Sequence, residues 1–316
     1  MRIWCNQAFT EAAEQRLRRG IGQHELLFRP GVDAANPELE AVEIAFGKPA
    51  VASVLTSNAL RWAQIGAAGY TPWDRQDLFE RFRAQGTALT RSSMVYSEPC
   101  AEHVVSFMLA WARQLPLAFA DQLGARSWLY APLRRQSKLL VGQRVMIFGH
   151  GSIGARLAEL LGPFHMQLVG VRDRVRGDEA IPTLAISDPA LEQHLAQADH
   201  VIDLLPLKDS TRHAFDARRF AAIKQGAIFY NIGRGNTVDQ DALVAALQTG
   251  HLGAALIDVT DPEPLPATHP LWSIPNCVIT PHSAGGHSTE QERLVDHFLE
   301  NLRRFERGEP LLDRVV

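Results

Sequence analysis

The chain has 316 residues, 46% of them hydrophobic and 21% charged, with a net charge of −3. That is more chain than one hydrophobic core usually spans, so two domains are expected. The weak charge gives no pull toward nucleic acid or an anionic membrane. No signal-peptide core follows Met1, and the best apolar run, Val104 to Ala112, is broken by Ser106 and too short to cross a bilayer.

Through Thr90, short β-like runs alternate with helical stretches. Arg2–Cys5, Val51–Leu55 and Thr87–Thr90 read as strands, Glu11–Arg19 and Asp74–Ala84 as helices. This alternation predicts βαβ units on a parallel sheet. A long helix is expected from Glu98 to Leu115, with Pro99 in its first turn and Pro116 at its end or at a kink. Cys5, Cys100 and Cys277 form no CxxC pair, which fits a reducing, cytoplasmic setting with neither disulfide framework nor metal site. A second alternating series follows. Arg144–Phe148 is a strand, Ile153–Leu161 a helix and Gln167–Val171 a strand. Asp188-Pro189 starts another helix, and His200–Leu205 and Ala227–Ile232 are strands of the buried type. Asp239 caps a helix through Leu247, Leu252–Val259 and Cys277–Thr280 are strands, and a charged helix from Thr289 to Arg307 closes the chain. The fold class is α/β, with two doubly wound parallel-sheet domains. The N-terminal series lacks an edge partner, so the closing helix is expected to return to it. The domains then comprise residues 1–97 with 286–316, and residues 98–285, joined near Ser97-Glu98-Pro99 and Gly285-Gly286.

Gly149-His150-Gly151-Ser152-Ile153-Gly154 lies between a strand and a helix. A GxGxxG string alone is weak, but this context makes it a dinucleotide-binding signature. Gly149 permits the tight turn, Gly151 lets a pyrophosphate approach the backbone, and Gly154 lets the helix pack close. The helix N-terminus then faces the phosphates. A turn without a ligand is the competing reading.

Three charged residues follow, each in a loop after a predicted strand: Arg234 in Asn231-Ile232-Gly233-Arg234-Gly235, Glu263 between Pro262 and Pro264, and His282 in Thr280-Pro281-His282. Singly, each reads as a solvated loop charge or a local turn. Together, beyond the carboxyl ends of strands in one sheet, they form a set suited to keto-acid reduction. The arginine can hold a carboxylate and polarise a carbonyl, the histidine can donate a proton, and the glutamate can orient the imidazole.

From Glu98 to Gly285 the sequence resembles the D-isomer-specific 2-hydroxyacid dehydrogenases. The resemblance is carried by the glycine turn, Leu205-Pro206-Leu207 with Ser210-Thr211-Arg212, Lys224-Gln225-Gly226-Ala227 and the Arg234 loop. It continues through Asp258-Val259, Glu263-Pro264-Leu265-Pro266, His269-Pro270-Leu271-Trp272 and Thr280-Pro281-His282. It implies a Rossmann cofactor domain and a smaller flavodoxin-like substrate domain. It implies that Arg234 binds substrate, Glu263 pairs with the histidine, and His282 is the acid/base. The cofactor would be lined by Gly149, Gly151, Ser152, Ile153, Gly154, Arg172, Asp173, Arg174, Leu205, Pro206, Ile232 and Asp258, the last near the nicotinamide amide. Gly66-Ala67-Ala68-Gly69 looks like the family's substrate-carboxylate loop, with Ala68 and Gly69 as its donors, although Tyr70-Thr71 replaces the usual Val-Asp.

The resemblance also implies a homodimer, with Trp128 or Tyr130 on an arm that caps the neighbour's site; ordinary core packing is the alternative for these two aromatics. Glyoxylate or hydroxypyruvate reduction is the leading activity, and a cofactor-sensing binding protein of the same fold is the alternative. The family's ribose-reading position falls on Arg172, eighteen residues after Gly154. An arginine there favours NADP over NAD. A strand one residue longer than Gln167–Val171 would give the role to Asp173 and favour NAD.

Overall fold

Strands that are apolar on both faces demand cover on both faces, and both sheets here are parallel throughout. A computed structural model describes residues 1–31 and 37–316. The chain divides into two units, Met1–Tyr96 with Gly286–Val316, and Ser97–Gly285. No described helix is long and apolar enough to cross a membrane.

In the first unit β1 (Arg2–Cys5), β2 (Glu25–Phe28), β3 (Ile44–Gly47), β4 (Trp62–Ile65) and β5 (Ala88–Thr90) pair in the order β2-β1-β3-β4-β5. This is the flavodoxin-like order. Helix α1 (Glu11–Gly20) starts where the Thr10 side chain accepts from the Ala13 N–H. Acidic residues fill its first turn and arginines its last, as the helix dipole favours. Helices α2 (Val51–Thr56) and α3 (Gln76–Gln85) follow. The segment expected as a strand at Val51–Leu55 is therefore a helix. Its two β-branched residues lose to burial period: Ser53 and Val54 are buried side by side, between exposed Ala52 and half-buried Leu55, as on a helix. The sheet positions go to β3 and β4, every residue of which is buried.

The closing helix, Glu290–Arg307, packs on this sheet. The Phe298 ring stacks on Phe46 at 4.2 Å and on Trp62 at 5.2 Å between centroids. Buried Asn301 donates to Gln64 Oε1 and to the Leu312 carbonyl, and accepts from the Leu312 N–H. Its amide is thus satisfied while it ties the C-terminal segment to β4.

Helix α4 (Ser93–Ala112) begins five residues before the expected Glu98, so Pro99 lies inside it rather than in its first turn. Gln114, with φ 58°, turns the chain into α5 (Leu115–Leu123), whose first turn holds Pro116; α6 (Tyr130–Gln136) follows. The second unit's sheet comprises β6 (Arg144–Phe148), β7 (Gln167–Arg172), β8 (Thr183–Ala185), β9 (His200–Asp203), β10 (Ile228–Asn231), β11 (Ala254–Ile257) and β12 (Cys277–Ile279). Its order, β12-β11-β10-β9-β6-β7-β8, is that of a Rossmann sheet, and the order reverses between β6 and β9. Helices α7 (Ser152–Leu161), α8 (Leu191–Leu195), α9 (Ala217–Ala222) and α10 (Gln240–Gln248) complete the unit. Asp239 caps α10 through the Ala242 N–H as expected. Asp188 instead caps a turn, accepting from the Ala190 N–H, and the short helix α8 starts only at Leu191. Phe148, Phe215, Phe220 and Phe229 meet edge-on or tilted at the centre of this core.

His200, at the start of β9, is buried between the Tyr230 hydroxyl (2.9 Å from Nδ1) and Gln143 Oε1 at Nε2. A neutral ring protonated on Nε2 satisfies both neighbours. Burial holds the imidazole down at about 4, against a partial opposing pull from Asp199. The unfolded chain therefore binds the proton first, and stability falls as pH drops from the ordinary 6.5 through about 4. The full loss is about 3 kcal/mol at about 1.4 kcal/mol per pH unit. Urea unfolding at stepped pH should show this loss in the wild type, and a His200→Leu variant should show a shallower acid slope. Equal slopes would count against it.

Candidate active site

The glycine turn follows β6. Gly149 has φ +87°, and a Cβ there would stand 2.6 Å from the Leu204 carbonyl oxygen, so only glycine lets the turn pass this close to the end of β9. Gly151 sits at the N-cap of α7 and brings no capping side chain. The cradle therefore leaves room at a helix N-terminus, the setting in which backbone N–H groups bind phosphate. Gly154 packs against the Gly149 carbonyl and Ile147.

β7 runs one residue further than expected, to Arg172, which pairs with Ala185. Strand length alone would then assign Asp173 the ribose position. The side chains point the other way: Asp173 and Arg174 are exposed, whereas Arg172 is largely covered and bridges to Glu179 at 3.2 Å. Glu179 also accepts from the Arg176 and Gly177 N–H groups at 2.7 and 2.8 Å, which hold its carboxyl down near 2. His150 of the glycine turn lies beside this pair. Burial, then the Arg172 charge, lowers its imidazole, and its Nε2 is buried without a partner among the described residues. Sequence reasoning missed both Glu179 and His150. A carboxylate seven residues after the arginine carries no recognisable spacing, while the histidine was visible inside the glycine string.

β10, β11 and β12 are neighbours, and the three charged loops leave their carboxyl ends. Asn231 shapes the first loop: its Oδ1 accepts from the Gly233 N–H and its Nδ2 donates to the Arg234 carbonyl. Gly235 is obligatory, since a Cβ would meet the Thr260 carbonyl at 1.9 Å. Arg234 is half-buried, and its Nη1 touches the Gly233 carbonyl at 2.7 Å.

The His282 Nδ1 lies 2.8 Å from Glu263 Oε2, and both side chains are exposed. The other Glu263 oxygen accepts from the Thr260 N–H, which fixes the carboxylate. His282 has φ 51°, and its backbone N–H donates to the Asp258 carbonyl at 2.7 Å. The buried Asp258 carboxylate accepts from Thr280 Oγ1 (2.6 Å), the Ser283 N–H (2.8 Å) and the Ala284 N–H (3.0 Å). Asp258 thus staples the loop that carries His282. On α4, His103 Nε2 lies 3.1 Å from Thr280 Oγ1, a contact the sequence reading did not single out. A histidine following Glu102 and opening the apolar run from Val104 was its only signal. Burial pushes the neighbouring Cys100 thiol up to about 12; Asp258 raises it further and Arg234 opposes, so Cys100 feels both charges.

In the first unit, Gly66-Ala67-Ala68-Gly69 follows β4. The Ala67 carbonyl accepts from the Ser92 N–H, and the N–H groups of Ala68 and Gly69 have no partner among the described residues. Trp128 is 87% exposed and Tyr130 62%, so core packing is not what holds either aromatic. Leu205 and Pro206 follow β9 and Ile232 follows β10; Leu205 lies beside the glycine turn, since a Cβ at Gly149 would also meet its N at 3.0 Å.

Residues 105–284 match the family described as D-isomer specific 2-hydroxyacid dehydrogenase, NAD binding domain. The human glyoxylate reductase/hydroxypyruvate reductase is 35% identical over 237 residues, 73% of this chain and 71% of that protein. Glyoxylate/hydroxypyruvate reductase B of Salmonella schwarzengrund is 34% identical over 251 residues, 78% of this chain and 76% of that protein. A D-isomer specific 2-hydroxyacid dehydrogenase from Xanthobacter autotrophicus Py2, solved with NADPH and MES, superposes with a TM-score of 0.82 at 28% identity. The match covers 99% of this chain and 97% of that one. With the glycine turn and the two parallel sheets, these matches lead to one conclusion: the chain belongs to the D-isomer specific 2-hydroxyacid dehydrogenases, enzymes that depend on NAD(P).

Proposed function

We propose that this enzyme reduces a small 2-keto acid of the glyoxylate/hydroxypyruvate kind to the D-2-hydroxy acid, with NADPH preferred. The observation that carries the reading is the 2.8 Å His282–Glu263 pair, on loops beside that of Arg234 at adjacent strand ends of the nucleotide-binding sheet. The names of the human and Salmonella relatives support the substrate class.

The residues fit a dinucleotide: Gly149 and Gly151 clear the backbone for a pyrophosphate, and Ser152, Ile153 and Gly154 open the helix behind it. When bound, the nicotinamide supplies a hydride to the keto carbon. Arg234 holds the substrate carboxylate and polarises the carbonyl with the same planar fork. His282, its Nδ1 turned to Glu263, presents Nε2 and gives its proton to the carbonyl oxygen as charge develops there. Glu263 fixes the tautomer and the orientation of the ring. Asp258 keeps the His282 loop in register. Leu205, Pro206 and Ile232 supply apolar cover beside the cofactor.

Steady-state rates with NADPH against a panel of 2-keto acids test this reading. Glyoxylate and hydroxypyruvate are expected to lead. Binding of reduced cofactor with no turnover of any acid would mark a cofactor-sensing protein instead. Arg234→Lys is expected to raise KM and lower kcat together, because lysine cannot bridge two oxygens in the ground or the transition state. Wild-type kinetics in that variant for every active acid would remove Arg234 from the site.

The protein is also proposed to be a homodimer. No residue of α5 is buried, and Phe119, Leu123 and Trp128 stand exposed within one short stretch, a patch that a partner would cover. Light scattering after size exclusion reads this directly, and a monomer at assay concentration would contradict it.

A further inference from the structure

Asp203 ends β9, wholly buried in a strand that is otherwise apolar after His200. Its neighbours at the same level of the sheet, Phe148 on β6 and Asn231 on β10, carry no charge, and it forms no ion pair among the described residues. Its Oδ1 accepts from the Leu205 N–H at 2.9 Å. Its Oδ2 lies 2.5 Å from Thr237 Oγ1, and that same hydroxyl oxygen lies 2.6 Å from the Arg234 carbonyl oxygen.

Both are hydrogen-bond distances for an O–H donor, and two oxygens this close with no proton between them repel. A threonine hydroxyl has one proton to give. Two short contacts therefore need two protons, and Thr237 can supply only one. The Arg234 carbonyl also receives Asn231 Nδ2 at 3.0 Å, but the peptide oxygen has no proton of its own to offer Thr237. The second proton has one available source, the carboxyl of Asp203.

We infer that Asp203 is a protonated carboxylic acid that donates to Thr237, which in turn donates to the Arg234 carbonyl, so that one neutral acid positions the arginine loop. In this arrangement every polar atom of the acid is used: Oδ2–H donates and Oδ1 accepts from Leu205. As a carboxylate it would hold a full charge in an uncharged core on two hydrogen bonds, a costly state. Burial already pushes the carboxyl up to about 7 with Thr237 donating to it. Committing the Thr237 proton to Arg234 removes that support and lifts it further. Asp203 thereby links the Leu205-Pro206 segment to the arginine loop. It is a positioning residue, acting on the substrate only through Thr237 and Arg234.

The protonation state is independent of the proposed role of Arg234; its kinetic consequence rests on that role. Infrared difference spectra of the wild type against Asp203→Asn at neutral pH are expected to show the carbonyl band of a protonated carboxylic acid, shifted in D2O and missing in the variant. Loss of carboxylate bands instead would overturn the inference, whatever Arg234 does. Asparagine can donate to Thr237 and accept from Leu205, so Asp203→Asn should keep KM for the keto acid within about twofold. Asp203→Leu or Thr237→Val should raise it about tenfold, the cost of one lost buried hydrogen bond. Equal damage from asparagine and leucine would show that the charge is needed and overturn the relay. An acid band with KM unmoved in both Asp203→Leu and Thr237→Val would overturn the positioning role. Where Asp203→Leu fails to fold, the Asp203→Asn spectrum and the Thr237→Val kinetics still decide.

Discussion

Replacing His282 with alanine is expected to lower kcat for keto-acid reduction by about 10²–10⁴-fold, the usual contribution of a general acid, while the dissociation constant of the reduced cofactor stays unchanged. The separation follows from the local structure. Among the described residues the imidazole's hydrogen-bond partner is Glu263, and its exposed ring carries none of the buried load of the loop. That load falls on backbone groups held by Asp258, at His282 N, Ser283 N and Ala284 N, and an alanine keeps all three. The glycine turn follows β6, separated from β12 by β11, β10 and β9 in the sheet order, and among the described residues no contact of the His282 side chain reaches it. Reduction consumes the imidazolium proton, so its rate should fall as pH rises, while oxidation of the hydroxy acid, which needs the neutral ring, should gain. Glu263→Gln keeps an oxygen near the ring but removes the charge, and should cost less than the alanine at position 282. Stopped-flow cofactor binding together with steady-state rates checks both halves. Near-normal turnover in the His282→Ala variant, or a cofactor affinity that falls in step with turnover, would remove the assignment.

How much of this was legible in the sequence depended on how local each signal is. The glycine turn was, because strand, turn and helix are adjacent in the chain, although the contact that makes Gly149 obligatory, with the Leu204 carbonyl, is distant in sequence. The three charged loops were, because each directly follows an apolar run that could only be a buried strand. Pairing His282 with Glu263, nineteen residues apart, had no local signal; it was suggested by the chemistry of the three charged loops taken together and implied by the family resemblance. The first unit was read less well. β3 and β4 are four-residue runs beside other apolar stretches, and periodicity cannot rank such runs. Burial chose Ile44–Gly47 and made a helix of Val51–Thr56. Asp203 and Glu179 were missed for a different reason. Each matters through a partner distant in sequence, Thr237 at thirty-four residues and Arg172 at seven, and neither spacing belongs to a known motif. A charged residue closing an apolar strand was nevertheless visible at Asp203, and it is the kind of local conflict that marks a functional or strained position.

Arg172→Ala is expected to lower kcat/KM for NADPH about 10- to 100-fold more than for NADH, the scale of a lost hydrogen bond between a guanidinium and a phosphate. The side chain leaves the last residue of β7, largely covered, beside the histidine of the glycine turn. NAD-selective sheets place a carboxylate at this point to bond the ribose hydroxyls, and that carboxylate would repel a 2′-phosphate. Here the charge has the opposite sign. Asp173, the competing carboxylate, is exposed on the following turn. Glu179 complicates the balance: it lies 3.2 Å from the Arg172 guanidinium and brings a full negative charge into the pocket. Two backbone N–H groups hold that carboxylate, so it serves first to fold the loop and aim the arginine, whose fork keeps other donors for a phosphate. Glu179 must nonetheless weaken the attraction for a 2′-phosphate, and the preference for NADPH should therefore be moderate in the wild type. Glu179→Gln, which keeps acceptors for the backbone but removes the charge, should increase it. The ratio of efficiencies for the two cofactors, measured at low salt where the contact is least screened, reads all three proteins on one scale. The ordering expected is Glu179→Gln above wild type above Arg172→Ala. A wild type that favours NADH, with Arg172→Ala leaving the ratio unmoved, would mean that Asp173 reads the ribose and that β7 presents its carboxylate despite that residue's exposure.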